Sequence, residues 1–329
     1  MKIKATAMAA TLGATGAVTF DQGLQSASAA APVPTSFSYY MKDQTGGTAF
    51  AKGCEVGDLA KNAPGTQQLT VVLGFGGPRF VSGTVGASNW DKPDYSSADI
   101  ASIAENFIGG FIYCAATDTT SRVHVGVATS NDSNVNTTAA HGSGWAALVN
   151  TVNSYVQSSA WGARATIYGS SDIEPSFNAS VANSKAWVTA HVAGTSRAFM
   201  PNNSMDGCPT SGTYSASTGC NAPSSGAPAW TVEDLWQVSS GGAMAPVPQI
   251  YNGAQAQQWY RMSVYSKSAK GYKTFFKNTM SQQKACQQGG CSTYSPNQSF
   301  DALQNLINSN ANTALTIEGA TDVRWANIP

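Results

Sequence analysis

Short apolar runs alternate with longer amphipathic segments along most of this chain. Leu69–Phe75 (LTVVLGF) and Val123–Ala128 are rich in β-branched residues, and such runs predict short buried strands. Segments such as 100–107 and 145–156 instead carry apolar residues at three- and four-residue spacing, which predicts amphipathic helices. Strands that alternate with helices indicate a mostly parallel sheet covered by helices.

The complete pattern predicts an α/β fold of the (β/α)8 TIM-barrel type, because eight strands fit a chain of this length. The connection between residues 238 and 247 is too short for a standard helix, so an incomplete or distorted barrel stays open as the alternative. The predicted strands are 36–41, 69–75, 123–128, a strand starting at 165, 197–200, 231–238, 247–251 and 314–317. The predicted helices are 48–62, one starting near 96 and stopping at 109–110, 145–156, 181–192, 254–266 and 300–307, and 283–299 is predicted to be a loop.

The N-terminus predicts export. Lys2 and Lys4 precede a mildly apolar run of small residues, and Ala-x-Ala patterns follow near residues 27–31. We therefore expect a signal peptide over 1–31 and a single barrel domain over 32–329, secreted and monomeric. No later segment has the roughly 18 uninterrupted apolar residues of a membrane span. Formal net charge is zero and only 11% of residues are charged, so nucleic acid is not an expected partner.

Six cysteines follow the predicted signal. An even number of cysteines in an exported chain favours disulfides, and we expect sequential pairing of Cys54 with Cys114, Cys208 with Cys220, and Cys286 with Cys291. Because no CxxC pair occurs and the three histidines are scattered, we expect no metal site and no cofactor. The predicted pairing gives disulfide-stabilised loops.

The most informative stretch is ATIYGSSDIEPSFN, residues 165–178. It begins as a strand and ends with Asp172 and Glu174, which point to the same side because alternate residues of a strand share a face. Two nearby carboxylates repel each other, so one of them retains a proton near neutral pH. Carboxyl ends of barrel strands are where barrel enzymes carry their chemistry. The other interpretation is an acid-rich helix N-terminus.

The D-x-E pair at the end of a fourth barrel strand resembles glycoside hydrolase families 18 and 25, chitinases and lysozyme-type muramidases. The resemblance implies that Glu174 is the general acid/base and that Asp172 assists it. The chain departs from the longer acidic run D-G-x-D-x-D-x-E of family 18 at Ile167, Tyr168 and Ser170. It also lacks the first-strand aspartate of family 25. As a whole, the chain is similar to secreted glycoside-hydrolase-like barrels.

Polar and aromatic residues at other predicted strand ends are candidates for binding sugar, because aromatic rings stack on sugars while amides and carboxylates bind hydroxyl groups. Each has a simpler interpretation as a core aromatic or a polar turn. The substrate-binding candidates are Tyr168, Asn202, Asp206, Trp236, Gln237, Gln249 and Tyr251.

Three functions stay open at this point. The first is a secreted glycoside hydrolase that acts on a cell-wall or other polysaccharide. The second is a non-catalytic barrel that binds carbohydrate or cell wall with the same cleft, and the third is a structural extracellular protein. Convergence of Asp206, Gln237 and Tyr251 above Glu174 would argue against the third.

Overall fold

The computed structural model describes residues 34–42, 46–88, 94–220, 229–242 and 244–326. The predicted signal peptide lies outside the described residues. The strands are β1 (Thr35–Tyr40), β2 (Gln68–Gly74), β3 (Gly77–Val81), β4 (Thr84–Ser88), β5 (Tyr95–Ser96), β6 (Arg122–Ser130), β7 (Ala165–Asp172), β8 (Gly219–Cys220), β9 (Trp230–Thr231), β10 (Thr279–Ser281) and β11 (Ala320–Trp325). The helices are α1 (Gly46–Asn62), α2 (Ser97–Cys114), α3 (Ala139–Ser158), α4 (Val181–Gly194), α5 (Val232–Ser239), α6 (Gly253–Lys270), α7 (Gln283–Gly289) and α8 (Pro296–Asn308).

The centre of the molecule is a curled parallel sheet of six strands in the order β10, β11, β1, β2, β6 and β7. Its strands are short and rich in β-branched residues, and helices cover its outer face. All carboxyl ends of the strands meet at one edge because every pair is parallel. The predicted alternation of strands and helices is confirmed.

Two irregular segments, 199–203 and 244–250, continue the hydrogen bonding beyond the ends of this sheet. The first segment lies beside β7, and its Met200 N–H donates to the Gly169 carbonyl at 2.9 Å. The second lies beside β10, and its Ile250 N–H donates to the Met280 carbonyl at 2.8 Å. The two segments also bond each other, through Ala245 N to Phe199 O at 2.8 Å. Prolines 201, 246 and 248 lack the N–H that a regular ladder needs, which explains why these segments form only isolated bridges.

Successive residues of each strand point to opposite faces of the sheet, so the apolar side chains form two layers. Those facing outward pack under the helices in the main core, which includes the buried Trp145, Trp187 and Trp259. Those facing inward form a small second cluster in which Tyr40 and Tyr168 contact buried aliphatic side chains. The members of this inner cluster are Val72, Ala128, Met200, Val247, Met280 and Val323.

The predicted strand at 231–238 is wrong. Thr231 and Asp234 form a reciprocal capping box that starts helix α5, and Glu233 in the first turn is further stabilised by the helix dipole. The capping residues of the sequence T-V-E-D therefore make this segment a helix, although its composition is typical of a strand. This also explains why the connection between 238 and 247 is too short to hold a helix: the helix lies before it, at Val232–Ser239.

Three further corrections concern the C-terminal third. The last strand is β11 at 320–325 and not 314–317, and strand β10 was not predicted. The predicted loop 283–299 contains α7 and the start of α8, which Ser295 and Gln298 begin with a capping box. In the N-terminal half, α2 continues to Cys114, beyond its predicted stop at Gly109-Gly110.

Disulfides join Cys54 to Cys114, Cys208 to Cys220, and Cys286 to Cys291. The predicted sequential pairing is confirmed. These bonds are compatible with an extracellular protein. Within the part of the chain that the structure describes, no helix is long and apolar enough to cross a membrane.

Candidate active site

Asp172 is the last residue of β7, and Glu174 follows it in the turn that leads to α4. Two buried asparagines fix this turn through its backbone. The Ile173 N–H donates to Asn203 Oδ1 at 2.8 Å, and the Glu174 N–H donates to Asn131 Oδ1 at 3.0 Å. Asn131 returns a bond from Nδ2 to the Glu174 carbonyl at 3.2 Å. Both carboxylates therefore extend from a rigid backbone.

The Asp172 carboxylate accepts a 2.6 Å hydrogen bond from Gln249 Nε2. The same amide nitrogen donates to the Asn202 carbonyl at 2.9 Å, which holds its orientation. Burial raises the pKa of Asp172 well above its usual range, and the charges of Glu174 and Asp206 add to this rise, while the bond from Gln249 opposes it. The protonated form of Asp172 is favoured by its surroundings.

Glu174 accepts a 3.1 Å hydrogen bond from Ser176 Oγ. Burial raises the pKa of Glu174 to about 7, and the charge of Asp206 contributes in the same direction. The bonds from Ser176 and Gln249 lower the pKa and limit the rise. A carboxyl group with this pKa is half protonated at neutral pH, as a general acid/base requires.

Asp206 was a predicted substrate ligand, and the structure places it close enough to raise the pKa of both Asp172 and Glu174. Its Oδ1 accepts a 3.4 Å bond from Gln255 Nε2 on α6. The Gln255 side chain also accepts the Tyr251 N–H at 2.7 Å. Gln255 therefore links the carboxylate of Asp206 to the backbone of Tyr251.

Two tyrosines complete the polar cluster. Tyr40 lies at the end of β1 and Tyr251 follows the segment 244–250, and their side chains hydrogen-bond each other. Burial raises the pKa of both phenols above the usual range, and the negative charges of Asp172 and Glu174 raise it further. Both hydroxyl groups are therefore neutral at physiological pH, and because each carries a single proton, one of them donates within the pair.

A narrow cleft descends from this cluster into the sheet, with Tyr40, Asp172 and Asn202 among its lining residues. Its cavity volume is about 40 Å³. At about 10–15 Å³ for one water molecule, this space holds a few waters and not a sugar ring. A large ligand at this site would therefore lie across the mouth of the cleft.

Trp325 at the end of β11 forms part of the rim. Its ring lies 4.8 Å from that of Tyr40, at an interplanar angle of 40°. Lys42 Nζ is 4.1 Å from the Trp325 ring centroid. Our sequence analysis missed Tyr40, Lys42 and Trp325. These residues lie at or just beyond the ends of β1 and β11, and the last strand predicted from the sequence, 314–317, ends before β11 begins.

Four of the predicted binding residues come together with the two carboxylates: Asn202, Asp206, Gln249 and Tyr251. Asn202 is 6% exposed, and its Oδ1 accepts the Ser170 hydroxyl at 2.8 Å. It lines the floor of the cleft.

Three other predicted residues do not join this cluster. Tyr168 faces the interior four residues before Asp172, about 13 Å away along the strand, where it contacts His124 Nδ1 at 3.3 Å. Trp236 and Gln237 are on helix α5. Trp236 bonds Ser266 Oγ at 3.4 Å, and Gln237 bonds Glu233 at 3.2 Å. The expectation that these two residues end a barrel strand is wrong, because they belong to a helix.

Among the described residues, no three His, Cys, Asp or Glu side chains are placed so that they could hold a metal ion together. The chain matches no family model and no curated protein. The interpretation of the site therefore depends on its own geometry and electrostatics.

Proposed function

We propose that this protein is a glycoside hydrolase that cleaves glycosidic bonds of a cell-wall or other polysaccharide. The single observation that carries the proposal is the environment of Glu174: a carboxyl group with a pKa raised to about 7, held beside Asp172 at the carboxyl end of a strand. Glycosidases need a carboxylic acid that is still protonated at working pH, next to a second group that stabilises positive charge.

In this proposal Glu174 donates its proton to the glycosidic oxygen as the bond to the anomeric carbon breaks. Asp172, oriented by Gln249, faces the reacting sugar and stabilises the developing positive charge when it is ionised. A water molecule then bonds the anomeric carbon through its oxygen and gives one proton to Glu174, which returns Glu174 to the acid form. The neutral hydroxyl pair of Tyr40 and Tyr251 donates one hydrogen bond to a sugar oxygen.

The rim supports a carbohydrate as the substrate. Trp325 and Tyr40 offer aromatic surface for the apolar face of a pyranose ring, while Asn202, Gln249 and Asp206 offer groups for hydroxyls. Because the cleft itself is only about 40 Å³ in volume, we propose that the sugar chain crosses its mouth and presents one bond to Glu174.

We further propose that the fold is a complete eight-stranded (β/α)8 barrel in a single domain. The segments 199–203 and 244–250 would act as its fifth and sixth strands, between β7 and β10. The backbone bonds of Asn202 N to Ser171 O at 3.0 Å, Gln249 N to Asn203 O at 3.1 Å and Met280 N to Pro248 O at 2.8 Å support this closure. Secretion is proposed from the N-terminal sequence and is supported by the three disulfides.

The test is release of reducing ends from peptidoglycan, chitin and plant polysaccharides by the wild-type protein and by Glu174→Gln. We expect activity on at least one substrate and a loss of a thousandfold or more in the variant, since a general acid contributes about 10²–10⁴. Asp58→Asn, at an exposed carboxylate of α1, is the matched control and should keep full activity. Equal activity of Glu174→Gln and wild type would reject the assigned role.

A non-catalytic carbohydrate-binding barrel is the second candidate. The observation that favours it is the sequence of β1, TSFSYY, which contains no aspartate, whereas family 25 enzymes carry one on their first strand. If neither protein releases sugar from any substrate while both bind the same glycan, this second function replaces the first.

A further inference from the structure

A second groove lies on the outer surface of the helical layer and is lined by aromatic side chains. Phe50 comes from α1, Tyr113 from α2, Tyr155 from α3 and Trp161 from the turn before β7. Tyr113 and Tyr155 are 72% and 47% exposed, which is unusual for rings of this size on an otherwise well-packed surface. The groove has a volume of about 420 Å³, within the range of ligand-binding sites.

The rings form two pairs on opposite sides of the groove. The centroids of Phe50 and Tyr113 are 5.8 Å apart, and those of Tyr155 and Trp161 are 6.0 Å apart. Gly109 lies between the pairs. A Cβ atom there would be 3.6 Å from the Trp161 ring and 3.9 Å from the Phe50 ring, so any longer side chain would fill the floor. The glycine keeps the space between the two aromatic pairs open.

Glu105 adds a polar group to this aromatic groove. It lies one helical turn before Gly109, is partly buried, and has no hydrogen-bond or ion-pair partner among the described residues. Burial raises the pKa of its carboxyl group. An apolar protein surface laid over the groove would bury this carboxylate without a partner, which is costly. A ligand with several hydroxyl groups would instead donate hydrogen bonds to it.

We propose that this groove is an accessory binding site for a polysaccharide chain, whose pyranose rings stack on Tyr113 and Tyr155 while a hydroxyl group bonds Glu105. The class of ligand rests on the proposed function, but the binding does not depend on catalysis. The groove lies on the outer surface of helices α1, α2 and α3. Asp172 and Glu174 instead lie at the carboxyl end of β7. A glycan bound here would hold the protein on an insoluble substrate and leave the carboxylates free.

The test measures depletion of the full-chain protein from solution by particles of chitin, peptidoglycan and cellulose. The variants are the double substitution Tyr113→Ala/Tyr155→Ala and the single substitution Glu105→Gln. We expect the apparent Kd for at least one particle to rise about tenfold in the double variant, as for loss of an aromatic hot spot. A smaller rise is expected in Glu105→Gln. Phe275→Ala, at a ring 51% exposed elsewhere on the surface, should bind like wild type.

Binding of the double variant with wild-type affinity would overturn the proposal, as would the absence of wild-type binding to every particle. A matching loss in Phe275→Ala would overturn it too, since the effect would then not belong to the groove. Circular dichroism verifies that each variant is folded. Failure of the proposed hydrolysis is separate: Glu174→Gln should keep particle binding, and cleavage of soluble oligosaccharides should be unchanged in the groove variants.

Discussion

Gln249 and Asp172 are joined by a 2.6 Å hydrogen bond, from the side-chain amide of one to the carboxylate of the other. They are 77 residues apart in the sequence. Gln249 lies in the irregular segment 244–250, and Asp172 ends β7. Because the Asn202 carbonyl accepts from the same amide nitrogen, the side chain of Gln249 cannot rotate away without losing two bonds. The bond orients Asp172 and lowers its pKa against the effect of burial.

Replacement of Gln249 by methionine tests this relationship. The bond from Gln249 lowers the pKa of both Asp172 and Glu174, so its removal should raise both values. Activity that needs protonated Glu174 falls above a pH of about 7 in the wild type. In Gln249→Met this alkaline limb should move to higher pH, and kcat should fall about tenfold or more because Asp172 loses its orientation.

The measurement is the pH profile of kcat/KM. A purely structural role for Gln249 predicts lower activity with an unshifted limb, and that result would contradict the assignment. The variant Gln67→Met is a suitable control, since the side-chain amide of Gln67 donates only to the backbone of an exposed turn, at the Pro64 and Gly65 carbonyls.

Asp172 should reduce the stability of the fold as the pH rises. Its folded pKa is raised above the unfolded value of about 3.9, so its favourable contribution is complete below pH 3.9 and is lost as pH rises through the folded pKa. Asp172→Asn should therefore raise the Tm more at pH 8 than at pH 4. Thermal unfolding at the two pH values measures this difference, and an equal effect at both would contradict it.

His191 gives the opposite pH dependence. It is fully buried against Trp187, with ring centroids 5.2 Å apart, and burial lowers its pKa to about 4. Its stabilising contribution as the neutral form is present above the unfolded pKa of about 6.5 and is lost as pH falls toward 4. This amounts to about 3 kcal/mol by pH 4.

His191→Phe removes the titrating group and keeps an aromatic ring in the same site. We expect its Tm to fall less between pH 7 and pH 4 than that of wild type, whatever the change in Tm at pH 7. If the Tm of both proteins falls equally between pH 7 and pH 4, a group other than His191 dominates acid unfolding.

The close contact of α1 with α2 depends on glycine. A Cβ atom at Gly53 would lie 1.9 Å from the Phe107 carbonyl oxygen, and one at Gly110 would lie 2.0 Å from the Phe50 carbonyl oxygen. Gly53→Ala should force the helices apart beside the Cys54–Cys114 disulfide and destabilise the protein by about 2 kcal/mol or more.

Gly47→Ala is the matched control, because a Cβ atom there meets nothing within 4 Å. It should stabilise α1 slightly, by up to about 1 kcal/mol, since alanine is the better helix former. Urea unfolding of both variants tests the contrast. Equal stabilities would mean that the helix pair moves apart at little cost.

Local features of the sequence were sufficient for most of the fold. The β-branched runs of β2 and β6 and the apolar spacing in α2 and α3 identified a parallel α/β sheet, because burial on one or two faces dictates these patterns directly. Asp172 and Glu174 were found for the same reason: their two-residue spacing and the proline after them place both side chains at one strand end. The even cysteine count predicted disulfides, but it allows fifteen pairings, and the structure selects the sequential one.

The tertiary structure alone decided which distant residues meet these two carboxylates. Asn202, Asp206, Gln249 and Tyr251 join them because long-range backbone hydrogen bonds bring the segments 199–203 and 244–250 beside β7 and β10. No local pattern in the sequence specifies these pairings. Trp236 and Gln237 were misplaced because two capping residues outweighed the strand-like composition of 231–238. The raised pKa of Glu174 is equally tertiary, since it comes from burial and from Asp206, 32 positions further along the chain.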